Sequence, residues 1–279
     1  MNPVFELSNG VLIPQLGFGT WQIKELSDIK TALTKAIEVG YRHIDTAQVY
    51  GNEEGIGEVL QSCGIPREEL FITTKVWNSS QGYESTLKAF AQSCQKLQTD
   101  YIDLYLIHWP AVNLHANYQH MNQETWRAME ELYRLGKVRA IGVSNFFGHH
   151  LDSLLQTATI RPMVNQIELH PGNPANELVS KCQELGILVE AYSPMMKGKV
   201  FQIDLLLELA NKYQRTVPQI VLRWILDRGI VPLSKSITPE RIEQNAQIFD
   251  FELSQEDHER INELSTIGRI GTHPDHATF

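Results

Sequence analysis

Apolar residues fall in short runs, separated by longer stretches in which they recur every three or four positions. The runs are "QLGFG" near residue 15, "RHID" near 42, "LFITTK" from 70 and "IDLYLIH" from 102. Next come "VRAIGVSN" from 138, "MVNQIE" from 163, "ILVEAYS" from 187 and "IVPLSKS" from 230. Between them lie "LSDIKTALTKAIEVG", "GYESTLKAFAQSCQKL", "QETWRAMEELYRLG" and "ANELVSKCQELG", which carry the period of amphipathic helices. Several end in glycine (Gly40, Gly136, Gly186), a common helix stop. Two more helical stretches, around 203–213 and 216–228, separate the last two runs.

Apolar runs alternating with helices predict βαβ units, with parallel strands buried on both faces. Eight such units in 279 residues predict one α/β domain over 1–279, a (β/α)8 TIM barrel, rather than a doubly wound sheet. The start, "VFELSNGVLIP", predicts a hairpin around Asn9-Gly10 that plugs the barrel's bottom. The tail "GRIGTHPDHATF" has no periodicity and reads as loop. A dinucleotide-binding Rossmann unit is not supported. After Gly17-Phe18-Gly19 the sixth position is Gln22 and no helix starts there, while Gly55-Ile56-Gly57 lies inside a helical stretch.

Composition narrows the partners. A net charge of −9 argues against general nucleic-acid or anionic-membrane binding, which need a broad basic surface, but leaves room for a local phosphate pocket. Cys63, Cys94 and Cys182 are far apart and form no C-x-x-C, as expected of reduced thiols in a cytoplasmic protein. Neither a signal peptide nor a membrane span is expected.

The candidate chemistry lies where the runs end. They finish at or pass through Asp45, Lys75, His108, Ser144-Asn145, Gln166, Tyr192-Ser193 and Lys235-Ser236. In a barrel these C-terminal strand ends converge on one face, where active sites sit. Each residue has an ordinary reading: Asp45 as a cap, Lys75 and His108 as rim residues, the serines and asparagine as turn residues. Together, Asp, Lys and His on neighbouring strands with Tyr50 on the intervening loop form a set suited to protonating a carbonyl. A phenol ionises near pH 10. A neighbouring ammonium lowers that value, and a buried lysine needs a carboxylate to stay charged. Tyr50 would donate, Lys75 tune, Asp45 anchor Lys75, and a neutral His108 orient the carbonyl oxygen. The hydride must come from a nicotinamide cofactor.

"GFGTW", "HIDTAQVYGNE", "ITTKVW", "LYLIHWP", "VRAIGVSNF", "VNQIELHP", "AYSP" and "SKSITPERIEQN" resemble, in that order, the aldo-keto reductase family, above all its short microbial and protozoan members. Those members include 2,5-diketogluconate and methylglyoxal reductases and prostaglandin F synthase-like enzymes. The resemblance covers nearly the whole chain. It implies an NADPH-dependent carbonyl reductase on a barrel, with Asp45, Tyr50, Lys75 and His108 as its catalytic tetrad. It also implies that Ser144, Asn145 and Gln166 hold the carboxamide and that Tyr192 stacks on the nicotinamide. Gly19, Thr20 and Trp21 would approach that ring, and Ser193, Pro194 and Met195 would line the pyrophosphate. Lys235, Ser236 and Arg241 would take the 2′-phosphate and adenosine, with Gln244 and Asn245 near the adenine. Family members of this size are usually monomers. Three departures stand out: Ser234 where proline is frequent, Gln244 where glutamate is common, and "PMMKGK" where many members have Leu-Gly. The bulk of Met195 and Met196 bears on whether that loop can clasp the pyrophosphate.

Trp21, Trp77 and Trp109, with Tyr50 and His108, would line a substrate site, and the brief segments 111–122 and 268–279 would complete its wall. This favours an open site for small, varied carbonyls. His149 and His150 are adjacent on a helix and expected to point apart, and His273 and His276 read as solvated, so no metal site is expected. Two other readings stay open: a non-catalytic NADPH-binding or structural barrel, and a Schiff-base enzyme using Lys75.

Overall fold

The computed structural model describes residues 3–279. A small antiparallel pair, β1 (Val4–Glu6) and β2 (Leu12–Pro14), precedes a closed ring of parallel strands. The ring comprises β3 (Gly17–Gly19), β4 (His43–Asp45), β5 (Phe71–Val76), β6 (Ile102–Ile107), β7 (Val138–Ser144), β8 (Val164–Glu168), β9 (Leu188–Tyr192) and β10 (Val231–Ser234). Strand β10 pairs with both β9 and β3 and so closes the barrel. Every position of β5 and β6 is buried, as the continuous apolar runs predict for strands covered on both faces.

Helices surround the ring: α1 (Leu26–Glu38), α2 (Glu53–Ser62), α3 (Tyr83–Leu97), α4 (Tyr118–Arg134), α5 (Gly148–Leu155) and α6 (Asn176–Glu184). Then follow α7 (Asp204–Tyr213), α8 (Val217–Asp227), α9 (Pro239–Ala246) and α10 (Gln255–Asn262). Gly40, Gly136 and Gly186 stop α1, α4 and α6 in the left-handed region, at φ 104°, 68° and 69°. A capping box between Thr216 and Gln219 starts α8. Gly57 lets α2 approach α3 closely, because a Cβ there would lie 2.3 Å from the Lys96 carbonyl oxygen.

The hairpin turn differs from the expected two-residue Asn9-Gly10 turn. The Gly10 amide donates to the Leu7 carbonyl at 2.8 Å, and Gly10 takes φ 84°. Ser8 and Asn9 are therefore the central residues, and Gly10 is the left-handed residue of a longer loop. Asn9 Nδ2 donates to the Arg139 carbonyl at 2.9 Å, pinning the hairpin beside the N-terminal end of β7, at the barrel's bottom.

Strand residues two apart share a face. This rule sends His43 and Asp45 of β4, Thr73 and Lys75 of β5, Gln166 of β8 and Glu190 of β9 into the barrel, where all are buried. The barrel interior therefore holds a polar layer below its upper mouth. Among the described residues no helix is long and apolar enough to cross a membrane.

Candidate active site

The layer centres on Lys75. Its Nζ donates to both Asp45 oxygens and to the Thr46 carbonyl, each at 2.8 Å. Three acceptors match the three hydrogens of an ammonium. Burial alone would push Lys75 down, but the Asp45 charge, with Tyr50 and Glu190, holds it above the ordinary lysine value. A charged ammonium has no lone pair, so this Lys75 is not poised as a Schiff-base nucleophile.

Tyr50 ends the short 3-10 turn Gln48–Tyr50, closed by Gly51 at φ 69°. Its ring lies 5.1 Å from Lys75 Nζ and 5.7 Å from the His108 ring. The expectation that Lys75 lowers the phenol needs correction. Lys75 does pull it down, but burial is the larger influence, and Tyr50 sits above the ordinary tyrosine value. His108 follows β6 and is nearly buried; burial, then Lys75, holds its imidazole well below the usual range, so it is neutral. Its Nδ1 is buried without a partner among the described residues.

Around these four, Thr20 Oγ1 donates to the Asp45 carbonyl at 2.9 Å, and Ser144 Oγ to the Gln166 carbonyl at 2.9 Å. Asn145, in the left-handed region at φ 64°, donates from Nδ2 to the His108 carbonyl at 3.0 Å and accepts from the Tyr192 hydroxyl at 2.7 Å. Strand β7's end thereby ties His108 to Tyr192. Gly19 precedes Thr20 at the end of β3, and Trp21 beyond it is 48% exposed, a free ring at the rim.

The loop after β9 turns through Ser193 at φ 55°, then through Met196 and Lys197 at φ 50° and 53°. Pro194 and Met195 continue from Ser193, and Met196 is fully buried in the core. Met196 thus turns its bulk inward, away from any clasp. Ser234 exchanges a 2.8 Å hydrogen bond with the Tyr41 hydroxyl. Ser236 Oγ accepts the Thr238 amide at 3.0 Å just before α9, which carries Arg241, Gln244 and Asn245. Lys235 and Arg241 are exposed, and among the described residues no acid pairs with either. Glu243, on the same helix, is taken by Lys35 at 2.7 Å.

His149 and His150 do not point apart. Their rings lie 3.9 Å from each other, and their Nε2 atoms approach Asp275 Oδ1 at 3.0 and 2.9 Å. His150 Nδ1 accepts the Phe147 amide at 3.0 Å, which leaves the ring's proton on Nε2, near Asp275 but not aligned on it as a hydrogen bond. These contacts anchor the tail. Asn113 Nδ2 adds bonds to the Asp275 and Ala277 carbonyls at 2.9 and 3.1 Å. His273 is likewise engaged, 5.0 Å from the Phe147 ring. The anchored tail puts Phe279 in a stack on Trp77 at 5.8 Å and edge-on to Trp109 at 5.2 Å. Trp77 in turn lies 5.1 Å from His108, so an aromatic wall runs from tail to tetrad.

Sequence reasoning gave the tail segment 268–279 a place in the wall without singling out Phe279, and it missed Glu168, His43 and Glu190. Glu168 accepts from the Ile270 and Gly271 amides at 2.7 and 2.9 Å and fixes the tail's root. The available signal for Glu190 was a titratable residue inside an otherwise apolar strand run, and for His43 its place two residues before Asp45 on the same strand face.

A parallel barrel with an Asp–Lys–Tyr–His cluster at its strand ends defines a class of (β/α)8 oxidoreductases. The chain belongs to the aldo/keto reductase family, which it matches over residues 15–266. It is 48% identical to the glyoxal reductase of Bacillus subtilis (strain 168), over 98% of this chain and 97% of that protein. The structure of an aldo-keto reductase from a Medee basin deep-sea metagenome library superimposes with TM-score 0.94 at 45% identity, covering 99% of this chain and all (100%) of that one. A Bombyx mori aldo-keto reductase solved with NADP superimposes with TM-score 0.89 at 38% identity, covering 98% and 95%.

Proposed function

We infer that this protein reduces small aldehydes and ketones to alcohols with NADPH, with Tyr50 as the proton donor. The observation that carries the reading is Tyr50 beside a Lys75 ammonium whose charge is fixed by Asp45. NADPH, when bound, supplies the hydride. The residues present suit it: two cations unpaired among the described residues, Lys235 and Arg241, match a 2′-phosphate, and Ser236, Gln244 and Asn245 lie beside them. Gly19, Thr20, Trp21, Ser193, Pro194 and Met195 border the path between that end and the tetrad. Ser144, Asn145, Gln166 and Tyr192 take the nicotinamide end.

Each tetrad member then has a role. Burial keeps the Tyr50 proton in place at neutral pH, as an acid in the reducing direction requires. Lys75 favours the phenolate formed when that proton leaves. Neutral His108 orients the carbonyl oxygen towards Tyr50 by hydrogen bonding. Trp21, Trp77 and Trp109 enclose the apolar part of the substrate. The short wall segments favour broad specificity among small carbonyls, the glyoxal reductase relative fits a dicarbonyl among them, and a cytoplasmic monomer is the expected form.

The test follows NADPH absorbance against methylglyoxal, benzaldehydes and keto-sugars. Tyr50→Phe is expected to lose about 10²–10⁴-fold in turnover while still binding NADPH. Near-native turnover would remove Tyr50 from the role. Tight NADPH binding without oxidation across the panel would favour a non-catalytic barrel.

A further inference from the structure

Glu190 is a fully buried acid in the middle of β9 with no part in the tetrad. A buried carboxyl needs partners, and a buried charge needs a counter-charge. The nearest base does not supply one. His43 Nε2 is 3.5 Å from Glu190 Oε1, and burial, then Lys75, pushes that imidazole down to about 3, so it is neutral. The bond Glu190 does make is with Gln166. Gln166 Nε2 donates to Glu190 Oε2 at 2.9 Å and to Asp45 Oδ2 at 2.8 Å.

A primary amide nitrogen has two hydrogens, so this pair of acceptors uses both. Turning the amide over would aim its carbonyl oxygen at the Asp45 carboxylate, which has no hydrogen to give. The orientation is therefore locked, and the Gln166 oxygen is the only hydrogen-bonding capacity left on that side chain.

We propose that Glu190 is a positioning residue for the nicotinamide: with Asp45 it locks the Gln166 amide so that an acceptor oxygen meets the carboxamide NH2 group. The proposal rests on the cofactor site inferred above. Glu190 does this as a neutral acid. Burial, then the Asp45 charge, pushes its carboxyl up to about 8, with Gln166 and Lys75 pulling the other way. The groups that face it are His43 and Asp45 from β4, Lys75 from β5 and Gln166 from β8. The neutral form keeps one anion, Asp45, for one ammonium, Lys75.

The test measures dissociation constants of the whole protein by calorimetry for NADPH and for 2′-phospho-AMP, which has the adenosine end but no nicotinamide. Glu190→Leu is expected to weaken NADPH about tenfold, the loss of a fixed hydrogen bond, and to hold the fragment within about twofold. Glu190→Gln, whose amide oxygen can accept from Gln166, is expected to recover most of the loss. Equal weakening of both ligands, or unchanged NADPH affinity in Glu190→Leu, would overturn the positioning role. Glu190→Ala replaces Glu190→Leu should the latter not fold. A wild-type protein that does not bind NADPH would instead defeat the cofactor reading. An independent readout needs no cofactor: infrared difference spectra of the free protein should show a protonated carboxyl lost as pH rises through about 8. That band should be missing from Glu190→Gln; its loss near pH 4 in the wild type would overturn the neutral acid.

Discussion

Asp45 brackets Lys75: both carboxylate oxygens lie 2.8 Å from the ammonium nitrogen, and the lysine side chain is wholly shielded from solvent. Replacing Asp45 by Asn keeps the shape and removes the charge. The ammonium is then buried without a counter-ion, at a cost of about 3–5 kcal/mol. Urea unfolding of Asp45→Asn should show a loss of that size together with lost turnover. An unmoved midpoint would mean that Lys75 does not carry its charge in the folded protein.

Arg241 in the first turn of α9 and Lys235 just after β10 have no acidic partners among the described residues. A 2′-phosphate offers them charge-assisted bonds that NADH cannot. Arg241→Ala should therefore raise the NADPH KM about 10- to 100-fold and leave the NADH KM nearly unchanged. Steady-state kinetics with both cofactors decides it, and equal effects would sink the assignment.

Two buried groups give the stability curve opposite slopes. Glu190 is raised from 4.5 to about 8 on folding, so its folded form holds a proton that the unfolded chain loses. That contribution is full below about pH 4.5 and is lost as pH rises to about 8. His43 is lowered from 6.5 to about 3, so its contribution is full above 6.5 and is lost as pH falls towards 3. Melting temperature should accordingly decline on the alkaline side in the wild type and decline less in Glu190→Gln. Parallel curves for the two proteins between pH 5 and 9 would contradict a raised Glu190.

Much of this was legible in the chain, for reasons that can be named. Strands β5 and β6 are buried on both faces, so "LFITTK" and "IDLYLIH" read as short, mostly apolar runs, and Lys75 and His108 stood out at their ends. What escaped was set by partners far away in sequence. Glu190 interrupts "ILVEAYS", but its meaning depends on Gln166, Asp45 and His43 from two other strands. The pairing of His149 and His150 on Asp275 was hidden because the tail has no period and adjacent helical residues normally diverge. The hairpin failed by one residue: Asn9-Gly10 names a tight turn, but Gly10 closes a longer one.

Phe279 completes the aromatic wall through its stack on Trp77. Such a ring contact contributes about 0.5–1.5 kcal/mol, so Phe279→Ala should raise the KM for benzaldehydes about 2- to 10-fold. The KM for methylglyoxal, which has no ring to pack, should hardly move. A uniform rise for all substrates would place the tail's effect on the tetrad rather than on the wall.

The barrel's seam lies between β3 and β10, where Gly17 pairs with Leu233 and Phe18 with Ser234. A Cβ at Gly17 would meet Leu233 Cδ2 at 2.4 Å and His43 Nδ1 at 2.9 Å, so a larger residue there would have to push both side chains aside. Its two sides lie far apart in the sequence, at Gly17–Gly19 and Val231–Ser234. Without β10, β3 and β9 would both be open edges, ready templates for pairing with another chain. The same stitch joins Gly19 to the loop that carries Lys235. Sealing the sheet and setting Gly19 beside Lys235 are therefore one and the same closure.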